Sequence, residues 1–341
     1  MKLRKGLRII TAVIVLLSIA GLILGYLNLL SAALLASFSV TIWIGEYFLF
    51  ERNYIPEVSN FHLDMQIVRE LAATEKNQLP IRLNSVIVAE GEIPDWIVVA
   101  GGAPHNFPIS FASFQVVYNG KTGIIECPFN KALYDKFSRF QLLGIKGKAF
   151  YQEKYDSMQK AMLEADFIIA THEHWDHVGG IAQSSHLEEL MKKTVLTPEQ
   201  LRGHTINMAG FPQGAFDDYI PLKYDQYHVL APGVVLIKAP GHSVGSQMIY
   251  VKLQDGKEFL LIGDVGWNMV NIEKLANHSR IGMLFRYENG KQLGHQLRWL
   301  FDNIYQDPIE KLHILTSHDL EQLQNYRRTG IIGDKFEFNF E

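Results

Sequence analysis

The sequence predicts an α/β domain carried behind an N-terminal helical hairpin. Three observations lead there. The 36 positions from Ile9 to Ile44 hold no charged residue. Beyond residue 80, short β-rich runs alternate with stretches of helical spacing. Four apolar runs (Phe167–Ala170, Gly233–Lys238, Phe259–Ile262 and Leu312–Leu315) each lead into a segment bearing histidine or aspartate.

Composition narrows the function classes. Of the 341 residues, 48 % are hydrophobic and 20 % charged, which excludes a disordered chain. The net charge of −4 lacks the basic excess of a nucleic-acid binder, so no nucleic-acid partner is expected. A single cysteine, Cys127, excludes an intramolecular disulfide and a thiolate-rich zinc site. Thirteen histidines are the abundant metal-capable residues.

The N-terminal run comes first. As one helix, Ile9–Ile44 would be about 54 Å long at 1.5 Å per residue. A bilayer core is about 30 Å thick and takes about 20 residues. Two spans, Ile9–Tyr26 and Leu30–Phe48, fit better, with Gly25, Asn28 and Ser31 at the turn. Trp43, Glu46 and Tyr47 resemble an interfacial belt. Lys2, Arg4, Lys5 and Arg8 precede the run and place the start in the cytoplasm, and a hairpin returns the rest there. The reading is an anchor over 1–50 in the inner or plasma membrane, with the bilayer as partner through 9–48. A single span or a cleaved leader would reverse the side of the domain, but a leader's apolar core is shorter.

Residues 51–80 read as a linker and a helix on Met65, Val68 and Leu71, and 81–341 as the main domain. Strands are expected at Ser85–Val88, Trp96–Val99, Phe114–Tyr118 and Gly123–Ile125, with Asn119-Gly120 as a hairpin turn. Tyr155–Ala165 has helical spacing. The C-terminal Phe336–Phe340 alternates as an edge strand would.

The densest chemistry lies in Thr171-His172-Glu173-His174-Trp175-Asp176-His177-Val178-Gly179-Gly180. Four potential ligands fall within six residues. Neither one helix face nor one strand face presents His-x-His-x-Asp-His together. A tight loop after a strand lets the side chains diverge toward two neighbouring metals, and the glycine pair lets a following helix pack close.

This run resembles the signature of the metallo-β-lactamase superfamily, and the resemblance continues in order along residues 80–320. Ala239-Pro240-Gly241-His242-Ser243 is similar to its second histidine motif, Leu261-Ile262-Gly263-Asp264 to the strand supplying a bridging carboxylate, and Thr316-Ser317-His318 to its last histidine. The gaps are 65, 22 and 54 residues. The resemblance implies an αββα sandwich. It also implies that His172, His174 and His242 hold one metal, that Asp176, His177 and His318 hold a second, and that Asp264 bridges them. Imidazole and carboxylate donors suit zinc, and also iron or manganese. Two such ions about 3.5–4 Å apart share a hydroxide and polarise a substrate oxygen. Asp176 and Asp264 are the expected catalytic carboxylates. Two departures stand out. Ile125-Glu126-Cys127-Pro128-Phe129 occupies the place of a common Asp-x-Gly turn, and Val244 stands where a proline is common.

The implied activity is a membrane-anchored dinuclear hydrolase of an ester, lactone or thioester, on a small and apolar substrate. Phosphodiester or nuclease chemistry and β-lactamase chemistry are the alternatives on the same site. An oxygen-reducing di-iron protein would need an attached flavin domain. Trp175, Trp267, His105 and Phe129 are candidate pocket residues. The aromatic stretch Gly203–Tyr227 (Phe211, Phe216, Tyr219, Tyr224) is a candidate lid. Cys127 is expected as a buried filler.

Overall fold

The computed structural model describes residues 2–49, 55–102, 105–138, 146–202, 204–307 and 311–338. Eleven strands form two sheets. The first contains β1 (Arg82–Pro94), β2 (Asn106–Val117), β3 (Thr122–Ile125), β4 (Lys146–Phe150), β5 (Phe167–Ile169) and β6 (Thr194–Val195), in the order β4-β1-β2-β3-β5-β6. The second contains β7 (Tyr227–Ala231), β8 (Val234–Lys238), β9 (Gln247–Lys252), β10 (Glu258–Leu261) and β11 (Leu312–Leu315), in the order β11-β10-β9-β8-β7. The helices are α1 (Lys2–Ile23), α2 (Leu29–Leu49), α3 (Met65–Leu71), α4 (Asp95–Val98), α5 (Lys131–Phe137), α6 (Gln152–Glu164), α7 (Trp175–Ala182), α8 (Leu187–Met191), α9 (Pro198–Arg202), α10 (Met269–Glu273), α11 (Arg280–Arg286), α12 (Gly290–Leu300) and α13 (Leu320–Arg328).

Strand periodicity sorts the apolar residues into layers. Val234 and Leu236 of β8 face Leu83, Phe114 and Val116 of the first sheet, forming the inner core. Their alternates Val235 and Ile237 turn outward onto Val68, Leu293 and Leu297 of α3 and α12. On the far side, Val86, Val88 and Ile168 pack on Met158, Met162 and Val178 of α6 and α7. The result is an αββα sandwich. Parallel pairing of β3 with β5 and of β10 with β11 brings the ends of β5 and of β10 and β11 to one rim.

Several expectations are revised. Trp96–Val99 is not a strand, because Asp95–Val98 closes a helical turn with Val99 N–H donating to Asp95 O at 2.7 Å. The helix expected on Met65, Val68 and Leu71 is present as α3, and Leu63, Val68 and Ala72 are buried in the outer core. Phe336–Phe338 forms no ladder. Instead Gln115 bonds the backbone of Glu337 from its side chain, Nε2 to O at 2.8 Å and N–H to Oε1 at 2.8 Å, while Asn339 and Phe340 lie outside the described residues. The Gly203–Tyr227 stretch is not a lid. Phe211, Phe216 and Tyr219 pack into the α6–α7 layer, and the Tyr219 hydroxyl donates to Thr194 O at 2.8 Å.

The N-terminal helical hairpin is present. Gly25 turns it at φ 74°, and Asn28 Oδ1 accepts from Ser31 N–H at 2.8 Å to start α2. The expected spans over Ile9–Tyr26 and Leu30–Phe48 are corrected: among the described residues no helix is long and apolar enough to cross a membrane. The helix boundaries give the physical reason. Uncharged helix runs only from Ile9 to Ile23 in α1 and from Leu29 to Gly45 in α2. At 1.5 Å per residue those legs reach roughly 22–25 Å, short of a core of about 30 Å. The hairpin's polarity is inverted relative to a globular core. Thr11, Ser18, Ala32 and Ser39 are buried between the helices, whereas Ile9, Leu16, Leu17, Ile23, Leu30 and Phe38 are exposed.

The glycine pair does what close packing of α7 requires. A Cβ at Gly180 would lie 2.6 Å from Pro128 O and 3.0 Å from Cys127 O. Gly180→Ala gains about 1 kcal/mol of helix propensity, but the overpacking against fixed carbonyls costs about 1–3 kcal/mol. The clash is with backbone, so net destabilisation is expected. A thermal melt of the variant should show a lowered Tm, and an unchanged or higher Tm would refute this account of α7.

Candidate metal centre

The ligand loop begins where β5 ends. Thr171 leaves the strand, His172 and His174 follow in the loop, and Asp176 and His177 lie in the first turn of α7. His242 comes from the loop after β8, Asp264 from the turn after β10, and His318 from the loop after β11. Gly263 makes the Asp264 turn possible. It has φ 55°, and a Cβ there would sit 2.7 Å from Thr171 Oγ1.

The seven side chains expected as ligands are brought together in two adjoining groups. His172, His174, His242 and Asp264 form one, and Asp176, His177 and His318 the other. Asp264 stands between them. Its Oδ2 lies 3.1 Å from His242 Nε2 and 3.9 Å from His172 Nε2. Its Oδ1 lies 3.4 Å from both His177 Nε2 and His318 Nε2. His174 faces inward through Nδ1, which is 2.9 Å from His242 Nε2. Asp176 Oδ2 is 3.5 Å from His318 Nε2 and 3.8 Å from His177 Nε2.

The outer faces of four of these rings are held. His318 Nδ1 donates to Ser110 O at 2.9 Å, which fixes its tautomer because a carbonyl only accepts. His177 Nδ1 meets Glu126 Oε2 at 2.9 Å. His172 Nδ1 meets Thr171 Oγ1 at 3.2 Å. His242 Nδ1 lies 3.0 Å from Glu288 Oε1, and the same buried carboxylate takes His278 Nδ1 at 2.8 Å and Arg286 Nε. Outer partners of this kind orient metal-binding imidazoles. The Arg286 guanidinium on Glu288 marks the His242–His278–Glu288 group as a positioning network, because it already supplies the positive charge a third ion would bring.

The electrostatics fit two cations. Burial, then the crowding of neighbouring imidazoles, holds His172 and His174 well below the ordinary histidine range. Burial also opposes charge on His177, but Glu126, Asp176 and Asp264 outweigh it and hold the ring well above that range. On His242 burial is outweighed by Asp264 and Glu288, which push it up to about 9. Burial opposes charge on Asp264 too, yet the surrounding imidazoles hold it well below the carboxylate range. Among the described residues, the buried Nε2 atoms of His172, His177 and His318 that face Asp264 have no hydrogen-bond partner. Each such group costs about 1–3 kcal/mol. Nitrogens aimed beside a buried carboxylate, with no thiolate in reach, suit borderline divalent ions such as zinc.

The candidate pocket residues divide. The Trp267 ring packs 4.8 Å from the His318 ring, with Phe111 at 5.3 Å on another side. Phe129 is fully buried and stacks on Trp175 at 4.8 Å. It supports the wall through Trp175 and Phe111. His105 is exposed, and its carbonyl accepts from Asp95 N–H. Its place is on the α4–β2 turn. Beside His174, a cavity of about 370 Å³ is lined by Glu173, Ser243, Val244, Arg286 and Tyr287 among others. Sequence reasoning did not single out Glu288, Arg286, His278 or Ser110. Glu126 was legible only as a departure from a family turn. It adopts φ 64°, and its carboxylate accepts from Thr171 N–H at 3.2 Å as well as meeting His177.

No protein-family model and no curated protein matches the sequence. Solved structures do match the fold. A mutant of B. thuringiensis AiiA with N-decanoyl-L-homoserine bound at its active site is 16 % identical, with a TM-score of 0.56 over 72 % of this chain and 96 % of that one. A quorum-quenching N-acyl homoserine lactone lactonase is 15 % identical, with a TM-score of 0.54 over 72 % and 95 %. A probable metal-dependent hydrolase from Staphylococcus aureus is 13 % identical, with a TM-score of 0.54 over 71 % and 90 %. At such identities the likeness establishes the fold, a metallo-β-lactamase-type sandwich.

Removing an outer partner should loosen ion binding without unfolding the sandwich. Glu288→Gln and Glu126→Gln are each expected to weaken metal retention about 10–100-fold. Competition with a colorimetric chelator measures it, and wild-type retention in both variants would refute the positioning role.

Proposed function

We propose that this chain is a dinuclear metal-dependent hydrolase of carboxyl esters, lactones or thioesters, seated in a membrane by its N-terminal hairpin. The gathering of six ligand side chains around the buried Asp264 carboxylate carries the reading. In it, His172, His174 and His242 would hold one divalent ion, Asp176, His177 and His318 would hold the other, and Asp264 stands between the two groups. Zinc is the favoured metal, and iron or manganese suits the same donors. Bound there, two such ions would acidify water and polarise a substrate carbonyl.

The chain's own groups then divide the work. Asp264 supplies negative charge at the middle of the site, and the Ser317 hydroxyl donates to its Oδ1 at 2.5 Å. The Asp176 side chain is 12 % exposed against 3 % or less for His177, His318 and Asp264, so of these four it is the one most open to water. Asp176 is therefore the carboxylate placed to orient that water and accept its proton. The stacked Trp175 and Phe129 and the Trp267 ring limit access of bulk water, which strengthens each charge interaction inside. The matched lactone hydrolases favour an acyl ester or lactone as substrate.

The membrane part rests on the inverted polarity of the hairpin, whose small polar residues face each other and whose large apolar residues face outward. Legs too short to span suit a hairpin that enters tip first from one side. The basic residues before Ile9 favour the cytoplasmic face of the inner or plasma membrane, with the catalytic domain cytoplasmic.

Purified full-length protein should retain about two zinc, iron or manganese ions per chain by plasma mass spectrometry, and Asp264→Ala should lose them. Loaded protein should cleave members of an ester, lactone and thioester panel and lose activity on chelation. Exclusive cleavage of bis-p-nitrophenyl phosphate, or no bound metal after reloading, would overturn the reading. A reporter fused after Glu341 should be active only in the cytoplasm, and periplasmic activity would overturn the topology.

A further inference from the structure

We propose that α11 and the loop carrying Val244 form a membrane-docking mouth for the metal centre, so that the chain draws lipophilic acyl substrates directly from the bilayer. The inference rests on the hydrolase reading and the seated hairpin above, and adds where the site opens and to what. The first observation is the surface of α11. Leu284 and Phe285 are 64 % and 69 % exposed, and Tyr287, at its C-cap, is 76 % exposed. Three large apolar side chains in a four-residue stretch are turned to the outside. Tyr287 holds φ 58°, a left-handed conformation uncommon for a bulky residue. Val244, from the His242 loop, adds another apolar side chain at 60 % exposure.

The second observation is continuity. The α11 helix packs against α2, and the Arg280 guanidinium sits 4.2 Å over the Tyr47 ring. The apolar face of α11 therefore continues from the base of the hairpin. A hairpin inserted tip first, with Leu24 and Tyr26 outermost at 67 % and 83 % exposure, would bring its base to the headgroup layer. Arg280 lies at that base, where its positive charge favours an anionic leaflet. Aromatic and apolar residues flanked by arginine are the composition of an interfacial segment.

The third observation is the path inward. Val244 and Tyr287, together with the charged Glu173, Glu199, Arg202 and Arg286, line the cavity of about 370 Å³ that reaches His174. That volume lies within the range of small-molecule sites. One end of the cavity is thus at the docking face and the other at a candidate metal ligand. An acyl chain leaving the bilayer there would be kept partly out of water along the cavity. Long chains are the substrates this route serves.

Site-specific fluorescence tests the docking face. Cys127 is fully buried, so single labels can be placed at Leu16→Cys in the hairpin, Phe285→Cys on α11 and Asp255→Cys in the β9–β10 turn, at the end of β10 away from Asp264. The full-length protein is reconstituted in phosphatidylcholine–phosphatidylglycerol vesicles containing spin-labelled lipid. Quenching at positions 16 and 285, with none at 255, is the expected result. Quenching at 16 alone would overturn the docking mouth while leaving the seated hairpin intact. No quenching anywhere would overturn both. In the same vesicles, metal-loaded wild type should favour a decanoyl over an acetyl p-nitrophenyl ester by at least about 10-fold in kcat/KM, as differential burial of eight methylenes allows. Preference for the acetyl ester would overturn the lipophilic-substrate inference, and hydrolysis of neither would overturn the hydrolase reading, with the quenching pattern still deciding the docking face.

Discussion

Five imidazoles and two aspartates crowd around a point from which water is almost excluded, and much of the structure follows from making that crowd tolerable. Asp264 does most of it. Its two oxygens face different pairs of rings, and those rings in turn hold the carboxylate ionised despite complete burial. An isolated carboxylate there would take up a proton. The outer ring contacts divide the same burden. Glu126, Glu288, Thr171 and Ser110 each take one nitrogen and leave another turned inward. Buried polar groups in such a network are useful only when all are satisfied. The unpartnered inward nitrogens are the exception that gives the site its chemistry.

The sandwich supplies the geometry. The ligand loop hangs from β5 in the first sheet, whereas His242, Asp264 and His318 follow strands of the second. Gln247 of β9 ties the two together, with N–H to Thr171 O and Nε2 to Ala170 O, both at 2.8 Å. The rim is thus defined by backbone and core packing before any ion is considered.

Local signals were the legible part of the sequence. His172, His174, Asp176 and His177 lie within six residues, so their spacing alone demanded a divergent loop. Asn119-Gly120 marked its turn, with Tyr118 N–H to Lys121 O closing it at 2.9 Å. Non-local partners left no comparable trace. Glu288 reaches His242 from 46 positions away, and nothing in Tyr287-Glu288-Asn289 distinguishes it from a surface loop. Trp96–Val99 misled because an apolar run of four suits a strand or a buried helical turn equally. The aromatic stretch at 211–219 misled for a related reason: its composition suits a lid and a packing insert alike, and only the uncovered side of the α6–α7 layer decides between them.

Cys127 carries a consequence of another kind. Its thiol is fully buried, and burial, followed by the neighbouring Glu126 charge, pushes it well above the ordinary range. A thiol kept protonated and out of solvent is a poor target for peroxide, because oxidation proceeds through the thiolate. With every candidate donor a nitrogen or an oxygen, the centre has no sulfur to lose. A centre built this way offers peroxide no thiolate among its candidate ligands.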